Sequence, residues 1–529
     1  MSPAGETKAP EPAPAGAPTE ADEAQASAAA TRTAGRGGLA IAVAKLSFIL
    51  FGFAQQLVLP RVLGVDGYGE ISRVLAIVGI VNNVVVSASI QGVSRSVASV
   101  PESKASEALR RTLWVHAPLA LGISTLFAAG AGLIADAVHA SHVTGPLRIV
   151  GAVVLLYGLY APLVGGLNGR RKFVAQASLD IFYGGVRTVG LTVGAWAMGV
   201  TGAALGFVGA AALILVPASV AAGFGKRGEA GPSVREYLSF LGPLAVGQIF
   251  LNLLMQTDFM LLSRFVGQAA AAAGEPTSAA DRLVGVYRGV QLFAFLPFQM
   301  LMSITFVLFP MLARAFAEAD VAAVARYTKT GVRLALVLTG LMSGAVSSLG
   351  PSVLRFAFPS EIADSGGMAL RILSLGMGAF AILGIEMAAL TSLRQERLAA
   401  ALTAGTVVAV AVGCWLVVPT ATFGPAMVVA SALATSGALT LAAVVGALAV
   451  KSAAGAFVAP ASLVRVFAAM AATIAVGWKM PWLGKVAVLG EVGVVAVVYV
   501  VVLVVTGELG RADVATVQTA LGRKKQPSS

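Results

Sequence analysis

The chain has 529 residues, of which 57% are hydrophobic and only 12% charged. Soluble domains carry about 25% charged residues, so this composition excludes that class. A formal net charge of +12 invites a nucleic-acid partner, but the placement of the basic residues argues against one.

Residues 1–37 are rich in Ala, Pro and Glu and hold nothing that could bury a core, so they read as a disordered tail. The tail lacks a basic region ahead of a short apolar core, and the 23-residue apolar segment that follows is too long for a signal peptide. A spanning helix needs about 20 apolar residues. Fourteen such segments can be placed, at 38–60, 71–92, 111–134, 147–168, 174–198, 202–224, 238–266, 285–312, 332–356, 367–392, 398–418, 424–449, 460–480 and 486–506. Their unbroken Ala/Val/Leu/Gly runs lack the alternation of a transmembrane barrel. The sequence therefore predicts an all-α polytopic membrane protein with fourteen transmembrane helices.

With the N-terminus placed in the cytoplasm, 25 of the 37 Lys and Arg residues fall on the inner side and 10 on the outer. The other two, Lys45 and Arg187, lie inside spans. This is the positive-inside pattern, with N- and C-termini both cytoplasmic. The basic balance is topological, and no nucleic acid is implied.

Between spans 1 and 2 the chain reads LPRVLGVDGYGEISRV (59–74), and a looser copy, DRLVGVYRGVQLFAF, stands at 281–295. Tyr68 aligns with Tyr287 at an offset of 219 residues, and Arg95 then falls on Arg314. Span 4 runs into GLNGRRKF and span 10 into LTSLRQERL, while Gly202 and Gly424, which open spans 6 and 12, are 222 apart. Six spans per half is an even number, so both halves enter the membrane in the same sense, as in parallel-repeat transporters. The expected organisation is a six-helix lobe over 38–224, a second over 238–449, an accessory helix pair over 460–506 and a cytoplasmic tail over 507–529. Pro297 would kink span 8, and the weakly amphipathic stretches 313–331 and 507–522 read as interfacial helices.

No catalytic constellation is present. GxSxG and GxxxxGK[ST] are both absent, so neither an esterase elbow nor a phosphate loop is available, and the chain is not expected to be an enzyme. Cys414 is the single cysteine, which excludes an intrachain disulfide. His139 and His142 sit in a short outer loop without acidic or thiol company and read as solvated, so no metal and no cofactor is expected.

Charges inside spans are informative because each costs about 2.5–3.5 kcal/mol or more if it faces lipid. In span 5, Gln176, Asp180, Tyr183 and Arg187 follow spacings of 4, 3 and 4 and share one helix face. They form either a structural Asp180–Arg187 contact or the lining of an aqueous cavity. Arg187 lies beyond mid-membrane, which favours the cavity. Span 1 offers Lys45, Gln55 and Gln56, with Lys45 able to snorkel. Span 2 offers Asn83 and Ser87, and span 7 offers Gln248, Asn252 and Gln256. Asp258 is either a packing partner of Arg264 or a cavity acid; span 8 adds Arg288 and Gln299, and span 10 adds Glu386. The substrate-binding candidates are Arg187, Lys45, Gln55, Asn83, Gln248 and Asn252, and the coupling-ion candidates are Asp180, Asp258 and Glu386. The deep positions lean cationic, and arginine suits a phosphate or diphosphate through paired charge-assisted hydrogen bonds.

The hinge LPRVLGVDGYGEIS resembles that of the polysaccharide (O-antigen type) flippases of the multidrug/oligosaccharidyl-lipid/polysaccharide exporter superfamily. QTDFMLLSRFVG in span 7, LVGVYRGVQL into span 8 and LNGRRKF after span 4 are similar to that family as well, and the resemblance covers about residues 38–506. The resemblance implies two helical bundles around a central cavity that alternates its opening. It also implies a plasma-membrane flippase whose cargo is a polyprenyl-diphosphate-linked oligosaccharide, with membrane lipid and glycan polymerase or assembly proteins as further partners. The chain departs from the pattern in the second hinge copy, where Arg288 replaces the glycine after the tyrosine. Three alternatives stand beside it. A cation-coupled multidrug exporter is disfavoured because span 1 carries Lys45 and no acid. A peptidoglycan-precursor flippase would share a cationic cavity, and a membrane scaffold for glycan assembly would need no cavity chemistry.

Overall fold

A computed structural model describes residues 20–223 and 231–510, and these are helical with no strand among them. Inside a bilayer no water is available to the backbone, so each apolar segment must satisfy its own amides, and a helix does so within the segment. Eleven helices among the described residues are long and apolar enough to cross a membrane.

The first, α1 (Glu20–Ala98), contains spans 1 and 2 and breaks at Gly64, where φ is 72° and ψ 172°. Only glycine takes that conformation without strain, and Pro60 in the turn before it already removes a helical hydrogen bond. Helix α1 also starts inside the stretch expected as a disordered tail. Residues 20–37 are helical, because ADEAQASAAATRTA is dominated by alanine, the strongest helix former. Residues 1–19 of that tail, and 511–529 of the C-terminal one, lie outside the described residues.

Next come α2 (Ala105–Ala137), α3 (Thr144–Gly169) and α4 (Phe173–Ala222). Helix α4 holds spans 5 and 6 and is broken at Met198–Gly199, with Gly199 at φ 61°. Its two arms pack Gly190 on Gly206 and Gly194 on Gly202, backbone against backbone, which small residues permit. Helix α5 (Val234–Ala273) is span 7. The expected span 8 is split into α6 (Thr277–Ala294) and α7 (Leu296–Ala317), and Pro297 occupies the first turn of α7. Pro297 lacks the N–H that would continue the α6 hydrogen-bond ladder, and the helix is interrupted at Phe295, in the turn before it, where the kink was expected.

Helices α8 (Val321–Ser348), α9 (Gly350–Ala357), α10 (Ser360–Ser392), α11 (Glu396–Val417), α12 (Pro425–Ala454), α13 (Pro460–Trp478) and α14 (Ala487–Val505) complete the chain. The stretch 313–331 is not a separate interfacial helix: α7 runs through it to Ala317 and α8 begins at Val321.

Helices α1 to α4 pack on one another, and α6 to α8 pack with α10 to α12. Helix α5 runs between the two groups, touching α1 on one side and α6 and α11 on the other. Helices α13 and α14 pair and lean on α8.

The apolar core is distributed unevenly along the seam. At the end that carries Gly64, called here the hinge face, one cluster unites both groups through Leu59, Tyr68, Phe259, Tyr287 and Phe358. At the opposite, basic face each group keeps its own cluster. One is built on Val97, Leu109 and Leu167 with Tyr237 of α5, the other on Leu312, Leu390 and Val450. The groups are therefore joined at the hinge face and separately cored at the basic face.

The accessory pair is tied down just past α14. Glu508 accepts hydrogen bonds from Arg333 Nε at 2.7 Å and Arg465 Nη1 at 3.4 Å, and its backbone carbonyl accepts a further one from Arg333. Burial works to raise the Glu508 carboxyl, but hydrogen bonds from Arg333, Ser462 and Arg465 outweigh it and hold the group below the usual carboxylate range. A carboxyl whose folded pKa is depressed contributes stability above its unfolded pKa, and that contribution is lost as pH falls through the folded value. Thermal unfolding of wild type and Glu508→Gln is therefore expected to differ at pH 7 and to converge below about pH 4. A gap that stays constant down to pH 3.5 would remove Glu508 as the source.

Candidate functional site at the seam between the helix groups

The hinge face of the seam is closed by charges as well as by apolar contact. Arg73 on α1 donates to Asp281 Oδ1 on α6, and both side chains are almost wholly buried. His142, in the 3₁₀ turn between α2 and α3, places Nε2 3.0 Å from the other oxygen of Asp281. Arg282 Nε donates to Asp66 Oδ1 at 2.8 Å nearer the rim, and Arg61 donates to the carbonyl of Ala357. Gly69 lies directly on the Asp281 carbonyl and the Gly285 amide, and Gly285 lies on the Val65 carbonyl. A β-carbon at either position would strike the opposing backbone, so the two copies of the hinge sequence are the surfaces that meet. The His142 loop, which lacks acidic company in the sequence, receives it from α6 in the fold.

Deeper in the seam lies a polar zone fed from both groups. Arg187 on α4 is half-buried, with its guanidinium 5.1 Å from the centre of the Phe207 ring and its Nε without a hydrogen-bond partner. Arg288 on α6 approaches from the other group, 5.3 Å over Phe259, with Nη1 donating to Gln291 Oε1 at 3.2 Å. Arg288 is in electrostatic reach of Tyr68 and Asp258 and, more weakly, of Arg187.

Asp258 is buried and fully hydrogen-bonded. It accepts from Tyr287 Oη at 2.6 Å, from the Phe259 amide at 2.7 Å and from Gln291 Nε2 at 3.2 Å. Arg264 is not its partner: that side chain turns to the Ala137 carbonyl at 2.8 Å and to the Trp415 ring. Gln55 is buried, while its neighbour Gln56 accepts from Tyr68 Oη at 2.9 Å. Towards the basic face, Asn83 Nδ2 donates to Asn252 Oδ1 at 2.9 Å, and Asn252 Nδ2 donates to the Gln248 carbonyl at 2.8 Å. These three bridge α1 to α5.

The remaining candidates lie apart. Asp180 is half-buried and accepts from Tyr160 Oη at 3.5 Å, and its near charge is Lys45, which is exposed on α1. No direct Asp180–Arg187 contact forms, so the structural pairing weighed from the sequence is replaced by Tyr160 and Lys45. Glu386 is wholly buried between α10 and α12, with Gly446 packed on its carboxyl and both oxygens without a partner. Of the residues singled out in the sequence, Asn83, Gln248 and Asn252 meet at one junction of α1 and α5, Lys45 stands near Asp180, Gln55 is buried on α1, and Glu386 lies apart on α10. Sequence reasoning did not select Arg288 as a binding residue. The signal was present, since an arginine stands where the first hinge copy has a glycine.

Comparison with known proteins fits this architecture. Residues 34–316 match the family described as "Polysaccharide biosynthesis protein". Among curated proteins none matches. Among solved structures, the chain is similar to "Lipid II flippase MurJ, inward closed conformation", with a TM-score of 0.69 at 13% identity over 87% of this chain and 97% of that one. It is also similar to an inward-facing multidrug resistance MATE family transporter of the MOP superfamily, with a TM-score of 0.63 at 15% identity over 77% and 94%. A third is a MOP superfamily transporter from Pyrococcus furiosus described by the "reverse polarity of binding pocket", with a TM-score of 0.56 at 15% identity over 80% and 95%. At these identities the likeness is one of fold alone. The sequence match covers more than half of the chain, which therefore belongs to the polysaccharide biosynthesis protein family.

Proposed function

We propose that this protein moves a polyprenyl-diphosphate-linked oligosaccharide across the plasma membrane, with both termini cytoplasmic, by alternating access between two lobes. The lobes are the helix groups α1–α4 and α5–α12. The observation that supports the reading is that two arginines inside the spans, Arg187 and Arg288, one from each group, lie within electrostatic reach of one another. Both side chains are half-buried, and an anion binding between two like charges would relieve their repulsion. A diphosphate offers two negative groups at a matching scale and accepts forked hydrogen bonds from each arginine. Asn83, Gln248, Asn252 and Gln55 supply amides for the sugars, and Lys45 serves as an entry cation beside Asp180. Opening at the basic face is favoured because there only α5, through Tyr237 and Leu241, packs on the core of α1–α4 while the rest of the second lobe keeps a separate cluster, whereas the hinge face is sealed by one shared cluster. Coupling to a cation, if the cycle uses one, falls to Asp180, Asp258 or Glu386. Among these Glu386 is the carboxyl whose oxygens have no partner of their own.

Native mass spectrometry of the protein extracted in mild detergent from its own membranes tests this reading. Wild type is expected to carry a bound polyprenyl-diphosphate glycan that Arg187→Ala loses. A glycan that persists in the variant would remove Arg187 from the site. A wild-type spectrum with no lipid-linked species, together with efflux of cationic dyes that follows a pH or sodium gradient, would replace the glycan reading with the exporter one.

A further inference from the structure

The closed hinge face holds a group of side chains that the transport reading does not use. Glu70 on α1, His142 in the turn between α2 and α3 and Asp281 on α6 each present one ligand atom, and the three atoms lie within 4.8 Å of one another. They come from three separate elements, and α6 belongs to a different helix group from the other two.

Their chemistry is that of a borderline divalent cation. One imidazole and two carboxylates offer the nitrogen and oxygen donors that zinc takes at about 2.0–2.2 Å, with a fourth position left to water. Ligand atoms sharing one such ion sit roughly 3 Å apart, and His142 Nε2 already stands 3.0 Å from Asp281 Oδ2. Calcium and magnesium prefer all-oxygen shells, which this imidazole spoils.

The surroundings fit as well. Arg73 holds Asp281 through Oδ1, which orients the carboxylate and leaves Oδ2 turned to His142, as an outer-shell partner does for a metal ligand. With a neutral imidazole, Glu70 and Asp281 outnumber Arg73 by one negative charge, and a cation arriving between them relieves their mutual repulsion. His142 is exposed and Glu70 half-buried, so an ion has a way in from the hinge face.

We propose that Glu70, His142 and Asp281 form a zinc-type cation site that clasps the two helix groups together at the hinge face. An ion held only by the closed seam divides the population of the parted state by 1 + [M]/Kd, which is about tenfold at ten times Kd. The site would thereby set how readily the hinge face opens, without touching the cargo. It stands or falls independently of the glycan reading, because its test involves no transport.

The experiment titrates ZnCl2 into the full-length protein in detergent by calorimetry and follows hydrogen exchange of 59–74 and 277–294 with and without Zn²⁺. Mg²⁺ at the same concentrations serves as the control. The expected result is one saturable Zn²⁺ per chain, slower exchange in both segments and no effect of Mg²⁺. Binding should weaken at least about tenfold in His142→Ala and in Glu70→Gln, and stay as in wild type in His139→Ala. His139 is the neighbour that a nonspecific histidine-loop site would use. The metal-free melting temperature of each variant separates lost binding from lost folding, and Glu70→Gln, nearly isosteric, keeps the test open if His142→Ala unfolds. No saturable binding in wild type, equal loss in His139→Ala, or protection confined to the His142 loop would each overturn the proposal. In that event His142 is a neighbour of Asp281 at 3.0 Å and nothing more.

Discussion

Replacing Arg187 by alanine is expected to lower glycan transport by about 10²-fold while the protein still folds. A hydrogen bond to a charged group contributes about 1.5–3 kcal/mol. A guanidinium gripping a diphosphate makes two, so its removal costs roughly 3 kcal/mol, and each 1.4 kcal/mol is tenfold. The folded state loses much less. Arg187 is half-buried, its Nε has no partner, and its contact of note is the Phe207 ring, a cation–π pair worth about 0.5–2 kcal/mol. Arg187→Lys keeps the charge and loses the fork, so it should fall between wild type and alanine. The measurement is the rate of lipid-linked glycan translocation in reconstituted vesicles, beside the melting temperature of each variant. If Arg187→Ala transports at the wild-type rate with normal stability, the anion site is elsewhere.

The second large effect is on stability. Arg73→Met leaves the Asp281 carboxylate buried with its main counter-charge gone, and breaking a buried pair from one side costs about 3–5 kcal/mol. Arg73 and Asp281 are 0% and 4% exposed, so water cannot take over the lost partner. Two nitrogens of Arg73, Nε and Nη2, have no hydrogen-bond partner even in the native structure, and the pair is correspondingly imperfect. The double variant Arg73→Met/Asp281→Leu should therefore recover most of the loss, because it removes both desolvated charges together. Thermal unfolding of wild type, Arg73→Met, Asp281→Leu and the double variant at one scan rate checks this. Additive losses in the double variant would mean that the two residues act separately and that the pair does not hold the seam.

Most of the helices could be located from composition alone. A bilayer demands about 20 apolar residues per crossing and internal satisfaction of every amide, so each span announces itself within its own segment. The breaks were also local: Gly64 and Gly199 take positive φ at the ends of the expected spans 1 and 5. Where the reading failed, a second local preference had been underweighted. The alanines of 20–37 make a helix on intrinsic propensity.

Charge and length, then, determined by themselves that this is a helical membrane protein, where its spans lie and which buried polar residues needed an explanation. Tertiary structure alone decided who meets whom. Arg73 and Asp281 are 208 positions apart, and Asn83 and Asn252 are 169 apart. Asp258 chose Tyr287 and Gln291 over the nearer Arg264. The choice of partner depends on how two helices are set side by side, and that is fixed by summed packing across the whole seam. Periodicity within one helix says which residues share a face, and it carries no information about what the face will touch.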